Sequence, residues 1–232
     1  MKTPDPNATP PARHNSGGAP ARPGKPDGAR ARLLGAATTL IRSKGYAATT
    51  VDELCASAGV TKGAFFHHFP TKEALGVAAA EHWSASTGAM FAAAAFHQAP
   101  SALSRVLEYL DLRHALIDGP TEAFTCVAGT MAQETYLSSP AIRDACGASI
   151  LGHAGMLEAD LAAAIAEHGV AGVDARGLAL HAQAVIQGAF ILAKATGDAE
   201  LARDSVRHLR RYIELLFAAA TPAHPRTKGE TP

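Results

Sequence analysis

The stretch "TVDELCASAGVTKGAFFHHFPTKEAL", Thr50 to Leu75, decides the fold. Thr50 stands three residues before Glu53, the spacing at which a threonine and a glutamate cap the same helix start, and Gly59 ends that helix one turn after Cys55. Thr61 caps a second helix and Thr71 a third. About three residues, one of them glycine, separate the first from the second, which is the helix-turn-helix spacing. On the second helix Phe65 and Phe69 are i, i+4 neighbours and face a core with Leu54 and Val60, so Gly63, Ala64 and His67 point outward. Small residues on that face let the helix axis approach a surface closely, and an imidazole there can donate a hydrogen bond. A major groove fits this description. Thr61-Lys62 and Thr71-Lys72 each place a donor and a cation at a helix start, where free N–H groups attract phosphate; Thr50 repeats the arrangement without a lysine.

Upstream, Asp27 is the expected N-cap of a helix whose Leu33, Leu34, Ala37, Leu40 and Ile41 recur at three- and four-residue spacing until Gly45. Residues 1–26 carry seven of the fourteen prolines and no apolar period, and are expected to form a disordered basic arm in which Arg13, Arg22 and Lys25 are available to phosphates. The net charge of zero hides an asymmetry. Residues 1–72 hold 10 Lys/Arg against 4 Asp/Glu, or +6, and residues 73–232 hold 11 against 17, or −6. Only the first part is expected to meet a polyanion.

The expected organisation is all-α. Residues 27–72 form the helix-turn-helix domain, 73–220 a larger helical domain for ligand binding and dimerisation, and 221–232 a flexible tail. Apolar residues make up 47% of the chain, mostly Ala and Leu, and runs of strand-favouring residues are nearly absent. Ser101 caps a helix that runs to the "DGP" of 118–120, Ser139 caps a long one with Pro140 at its first position, Gly169 ends it, Asp174 caps the next, and "TGD" at 196–198 separates the final pair. No uninterrupted apolar stretch of membrane-spanning length occurs and the first residues lack the apolar core of a secretory signal; a cytoplasmic protein with no membrane partner is expected. Cys55, Cys126 and Cys146 form no CxxC and read as packed, reduced thiols. Neither a metal site, a cofactor nor an enzyme is expected. His67-His68 lacks further ligands, adjacent helical residues diverge by about 100°, and no phosphate loop, GxSxG or HExxH is present.

The last two helices carry more apolar surface than one core contact needs. In 178–194, Leu178, Ala182, Val185, Ala189 and Leu192 line one side, and Leu180, Ala184 and Ile191 the other, separated by a strip of Gln183, Gln187 and Lys194. In 199–219 an arc from Leu201 through Tyr212 to Phe217 opposes four arginines. Two such helices pair with their copies as a four-helix bundle, with Gly188 permitting close approach; a monomeric core explains the same pattern.

The capped helix, the Ala-Gly-Val-Thr turn, the aromatic pair before His68-Phe69 and the Lys72-Glu73-Ala74-Leu75 run resemble the DNA-binding domain of TetR/AcrR-family transcriptional regulators. The resemblance covers about a fifth of the chain. It implies that Thr50, Thr61, Lys62, Phe66, His67, His68 and Lys72 touch double-stranded DNA, with Phe66 replacing the family's frequent tyrosine and Cys55 its usual alanine. It also implies a homodimeric regulator, a repressor released from a palindromic operator by a small molecule. Trp83, Phe91, Tyr109, Arg113, Phe124, Cys126, Met131, Glu134, Gln183 and Gln187 are the candidates to line its effector pocket. The alternatives are a constitutive DNA-binding protein whose large domain only dimerises, and a helical enzyme carrying an incidental helix-turn-helix.

Overall fold

The computed structural model describes residues 28–220, and among them all regular structure is helical. The expected arm of 1–26, the Asp27 cap and the tail of 221–232 lie outside the described residues. Ten α-helices follow one another: α1 (Ala29–Lys44), α2 (Val51–Ala58), α3 (Lys62–His68), α4 (Lys72–Ala92), α5 (Ala102–Ala115), α6 (Thr121–Phe124), α7 (Val127–Thr135), α8 (Pro140–His168), α9 (Ala175–Thr196) and α10 (Ala199–Ala220). A single 3-10 turn, Ala95–Gln98, links α4 to α5.

The caps explain the boundaries. Thr50, Thr61, Thr71, Ser101, Ser139 and Asp174 each accept a hydrogen bond from the backbone N–H three residues on, which satisfies one of the donors a helix start leaves open. At Thr50 the capping box is complete, because Glu53 returns a carboxylate to the Thr50 N–H at 2.9 Å. Gly59, Gly169 and Gly197 end α2, α8 and α9 in the left-handed conformation that other residues adopt only with strain. α1 begins without a side-chain cap at Gly28.

Two apolar clusters organise the helices. One joins Leu33, Ile41, Leu54, Phe65 and Leu75 of α1–α4 to Met131, Ile142 and Cys146 of α7 and α8. The other gathers Phe91, Tyr109, Leu161, Ile186 and Phe217 of α4, α5, α8, α9 and α10. α4 belongs to both. Its contact with α8 is close at Gly76, where an added Cβ would stand 2.7 Å from Ile142 Cδ1 and 3.0 Å from the Tyr46 ring. The first three helices are therefore not an appendage; their core continues into α7 and α8.

Two features add to the sequence reading. The segment between Gly119 and Ser138, where the sequence reading places no helix, holds α6 and α7. In α9 the strip of Gln183, Gln187 and Lys194 is partly enclosed: Gln183 is buried, Gln187 is half-buried, and Lys194, exposed, donates from its ammonium to Thr130 Oγ1 of α7 at 2.6 Å. α9 is, among the described residues, the one helix long and apolar enough by length and mean hydropathy to cross a membrane, yet it packs between α8 and α10 with Leu178, Ala182, Ile186 and Ala189 buried.

Candidate nucleic-acid interface

α3 stands on α1 and α2 through Phe65, which is fully buried, and Phe69, nearly so, with ring centroids 6.0 Å apart. Burying a phenylalanine stabilises by about 1.5–3 kcal/mol, enough to hold a seven-residue helix that cannot persist alone. The opposite face is bare. Thr61, Lys62, Gly63, Phe66 and His67 are exposed and Ala64 and His68 are half-exposed, so the backbone of the first turn lies open to a groove. Phe66 is 52% exposed, a large apolar ring whose edge-on partner is Phe65, with ring centroids 5.1 Å apart.

The three helix starts are not equivalent. At Thr50 the hydroxyl donates to Glu53 Oε2 at 2.7 Å, and Glu53 is held in turn by Lys44 and by the Thr50 N–H. The Lys44 and Thr50 hydrogen bonds keep the Glu53 carboxyl down at about 2. The α2 start is thus closed by its own anion. Thr61 and Thr71 accept from Ala64 N at 3.1 Å and Ala74 N at 3.0 Å, and their hydroxyl hydrogens meet no acceptor among the described residues. Each keeps a donor for phosphate.

The two lysines also part company. Lys62 pairs with Asp52 at 2.7 Å across open surface, both side chains being more than 60% exposed, an arrangement weak enough to exchange for phosphate. Lys72 is half-buried: its ammonium donates to the Ala47 carbonyl at 3.2 Å and lies 4.4 Å from the Tyr46 ring centre, and burial pulls it below its ordinary value. It ties the α1–α2 loop to the start of α4. Sequence reasoning placed both lysines at phosphates; the geometry makes Lys72 a brace for the loop.

Of the ten candidate pocket residues the structure brings seven together. Trp83, Phe91, Arg113, Phe124, Cys126, Gln183 and Gln187 wall one small recess, joined by Thr87, Ser149, Ile150, His153 and Phe190. It shares Trp83, Phe91 and Phe124 with a neighbouring cavity of about 320 Å³, whose further lining includes Met90, Leu116, Ile117 and Arg42. Tyr109 stands behind that wall, fully buried, its hydroxyl 2.8 Å from His153 Nε2 and receiving the Arg113 Nε–H at 2.8 Å. Burial and the neighbouring Arg113 charge drive His153 down to about 3, so the imidazole is neutral.

Met131 and Glu134 lie elsewhere. Met131 is fully buried in the cluster beneath the reading helices, and the Glu134 carboxylate leaves α7 to accept the Ala47 N–H at 2.6 Å, beside Gly45. Thr87, Ser149, His153, Phe190 and Arg42 were missed by sequence reasoning. His153 is one of eleven histidines, and only a helical register that fixes which residues share a face would have selected it. No group of three or more metal-ligating side chains is found among the described residues.

This geometry can be compared with known proteins. The family model for "Bacterial regulatory proteins, tetR family" matches residues 33–79, and that for "Transcriptional regulator LmrA/YxaF-like, C-terminal domain" matches residues 102–208. The chain is 42% identical over 52 residues to the uncharacterized HTH-type transcriptional regulator YerO of Bacillus subtilis, covering 22% of this chain and 18% of that protein. It is 40% identical over 57 residues to the HTH-type transcriptional repressor KstR2 of Mycolicibacterium smegmatis, covering 25% of this chain and 28% of that one. The matches thus span less than a third of either relative. A TetR-family regulator from Agrobacterium tumefaciens superposes with a TM-score of 0.69 at 23% identity, over 79% of this chain and 96% of its own, which shows a shared fold. With a helix-turn-helix whose reading face is bare and a family match on both halves, the chain belongs to the tetR family of bacterial regulatory proteins and is a DNA-binding transcriptional regulator.

Proposed function

We propose that this regulator is a homodimeric repressor that leaves a palindromic operator when a small molecule fills the cavity beside Trp83. The observation that carries the release step is the course of α7. Its N-cap, Cys126, lines the inner recess, where Gly129 meets Gln187, and its last turn carries Glu134, which grips the α1–α2 loop at Ala47. One nine-residue helix thereby touches both the recess behind the cavity and the reading head, over residues 27–72, so an occupant that displaces Gln187 or Cys126 displaces the loop. The effect is a population shift: a ligand that prefers the displaced arrangement by a few kcal/mol lowers operator affinity by the same amount.

Repression is inferred by analogy with KstR2. Thr61, Lys62, Phe66, His67 and the Thr71 hydroxyl are the proposed DNA contacts, Gly63 and Ala64 allow the close approach, and His68 and Lys72 support them. Two such heads enter successive major grooves about 34–36 Å apart. Dimerisation uses the outer faces of α9 and α10, where Ala184, Leu192, Tyr212 and Leu215 are exposed in the single chain.

Selection of bound duplexes from a random pool tests the reading. A palindrome with half-sites one helical turn apart is expected, together with a mass in solution of two chains; enrichment of no sequence, or of a single unrepeated half-site by a monomer, refutes it. A constitutive DNA-binding protein would instead bind the selected operator equally with and without metabolite extract.

A further inference from the structure

The wall of the large cavity has an unusual charge pattern. Apart from the Ser86 and Thr87 hydroxyls it is otherwise apolar, with Trp83, Met90, Phe91 and Phe124 among its members, yet it carries two guanidinium groups and no carboxylate. Arg113 reaches it from α5, held by the Tyr109 hydroxyl and His153 and lying 4.5 Å from the Phe91 ring centre. Neither partner is an anion: burial raises the Tyr109 hydroxyl above its ordinary value and keeps it protonated, and an imidazole carries no negative charge. Arg42 reaches it from α1, 5.1 Å from the Trp83 ring centre; its Nε is buried and has no hydrogen-bond partner among the described residues. Glu122 acts on Arg42 from α6, but it lines the open cleft on the other side of Arg42 and makes no ion pair with it. Two cations facing an apolar space without a counter-ion carry a desolvation cost that a bound anion offsets.

We propose that the cavity selects an amphipathic organic anion: an acid head group set between Arg42 and Arg113, and an aromatic or aliphatic body against Trp83, Phe91 and Phe124. The proposal rests on the effector reading above and deepens it, because Arg42 belongs to α1 of the reading head while Arg113 belongs to the large domain. An anion that draws both guanidinium groups to itself bridges the two parts directly. A neutral ligand of the same shape fills the space without that bridge.

Trp83 is the sole tryptophan of the chain and lines this cavity, so the emission comes from one known position and the arginine variants locate the probe. The probes are 8-anilinonaphthalene-1-sulfonate and its uncharged counterpart N-phenyl-1-naphthylamine, with decanoate and decanamide as a non-aromatic pair. The sulfonate is expected to quench Trp83 by energy transfer at one probe per chain, and decanoate, not decanamide, to compete with it. Arg42→Gln and Arg113→Gln should each weaken the sulfonate about tenfold or more, since each removes a charge-assisted contact, and leave the neutral probe unchanged. Arg113→Lys should recover part of the loss, and melting of each variant without probe reports whether it is folded. Equal affinity for the charged and neutral members, or sulfonate binding that ignores both arginines in folded variants, overturns the proposal.

Release of the selected operator, measured alongside, separates this outcome from the broader reading. Neutral probes that quench Trp83 and free DNA overturn anion selection and leave effector release standing. Arginine-dependent sulfonate binding without any change in DNA affinity supports anion selection and removes release. No quenching of Trp83 by the sulfonate overturns the anion site.

Discussion

Lys62 and Lys72 share a sequence context, Thr-Lys at a helix start, and the structure gives them different work. Replacing Lys62 by Ala removes an exposed cation whose ion-pair partner among the described residues is the exposed Asp52. Melting should move little, while the slope of log affinity against log salt should fall by roughly one unit per chain. Lys72→Ala removes the bond to Ala47 and the cation over Tyr46, so stability should drop by about 1 kcal/mol together with DNA affinity. Paired salt titrations and thermal melts check both, and identical profiles would deny the distinction. His153 supplies a second prediction. Its folded value near 3 lies below the ordinary 6.5, so the unfolded chain takes up the extra proton and stability is full above pH 6.5 and falls as the pH drops from there towards 3. The loss should be on the order of 1–2 kcal/mol at pH 5, read by urea unfolding at pH 7.5 and 5, and largely absent in His153→Gln.

α7 is the element on which cavity and reading head depend, and it is also the element that the sequence did not announce. Helices α2, α3 and α4 were legible because threonine caps and a glycine stop are local signals, resolved within four residues. α7 begins at Cys126, whose thiol accepts the Gly129 N–H at 3.3 Å, and cysteine is not among the residues that mark a helix start. Glu134 reads as a pocket residue from sequence because nothing local reports that its partner lies 87 positions away. Gln183 and Gln187 stand among the pocket candidates named from sequence, and the tertiary fold turns their face onto the recess. The brace between α7 and the loop can be tested as a cycle. Gly45 has φ +91°, and a Cβ there would stand 2.3 Å from Glu134 Oε1. Gly45→Ala should therefore cost about 1–3 kcal/mol for placing a Cβ in a backbone region that glycine alone enters freely, plus a displacement of Glu134; in a Glu134→Ala background only the first part should remain. Urea unfolding of the four proteins measures the coupling, and strict additivity would mean that the carboxylate does not hold the loop.

At the scale of the molecule the remaining question is what covers the outer faces of α9 and α10. On α9 the residues turned away from the core include His181, Ala184, Gly188 and Leu192; on α10 they include Leu201, Tyr212 and Leu215, with His181 and Tyr212 rings 5.5 Å apart joining the two helices. Several of these are large and apolar, and such surface is stable in water chiefly when a second chain buries it. Gly188 provides a discriminating variant, because a Cβ added there meets nothing within 4 Å in the single chain. Glycine in a helix interior costs up to about 1 kcal/mol relative to a good helix former, so Gly188→Glu should leave the helical content intact and the isolated chain slightly more stable. In a four-helix bundle the same glutamate would meet its symmetry mate or an apolar neighbour where two backbones approach. The expected outcome is a folded monomer by light scattering, with affinity for a two-half-site operator reduced at least a hundredfold and weak binding to a half-site retained, since the second head no longer benefits from the first. A Gly188→Glu protein that remains dimeric and binds its operator normally would place the partner on another surface.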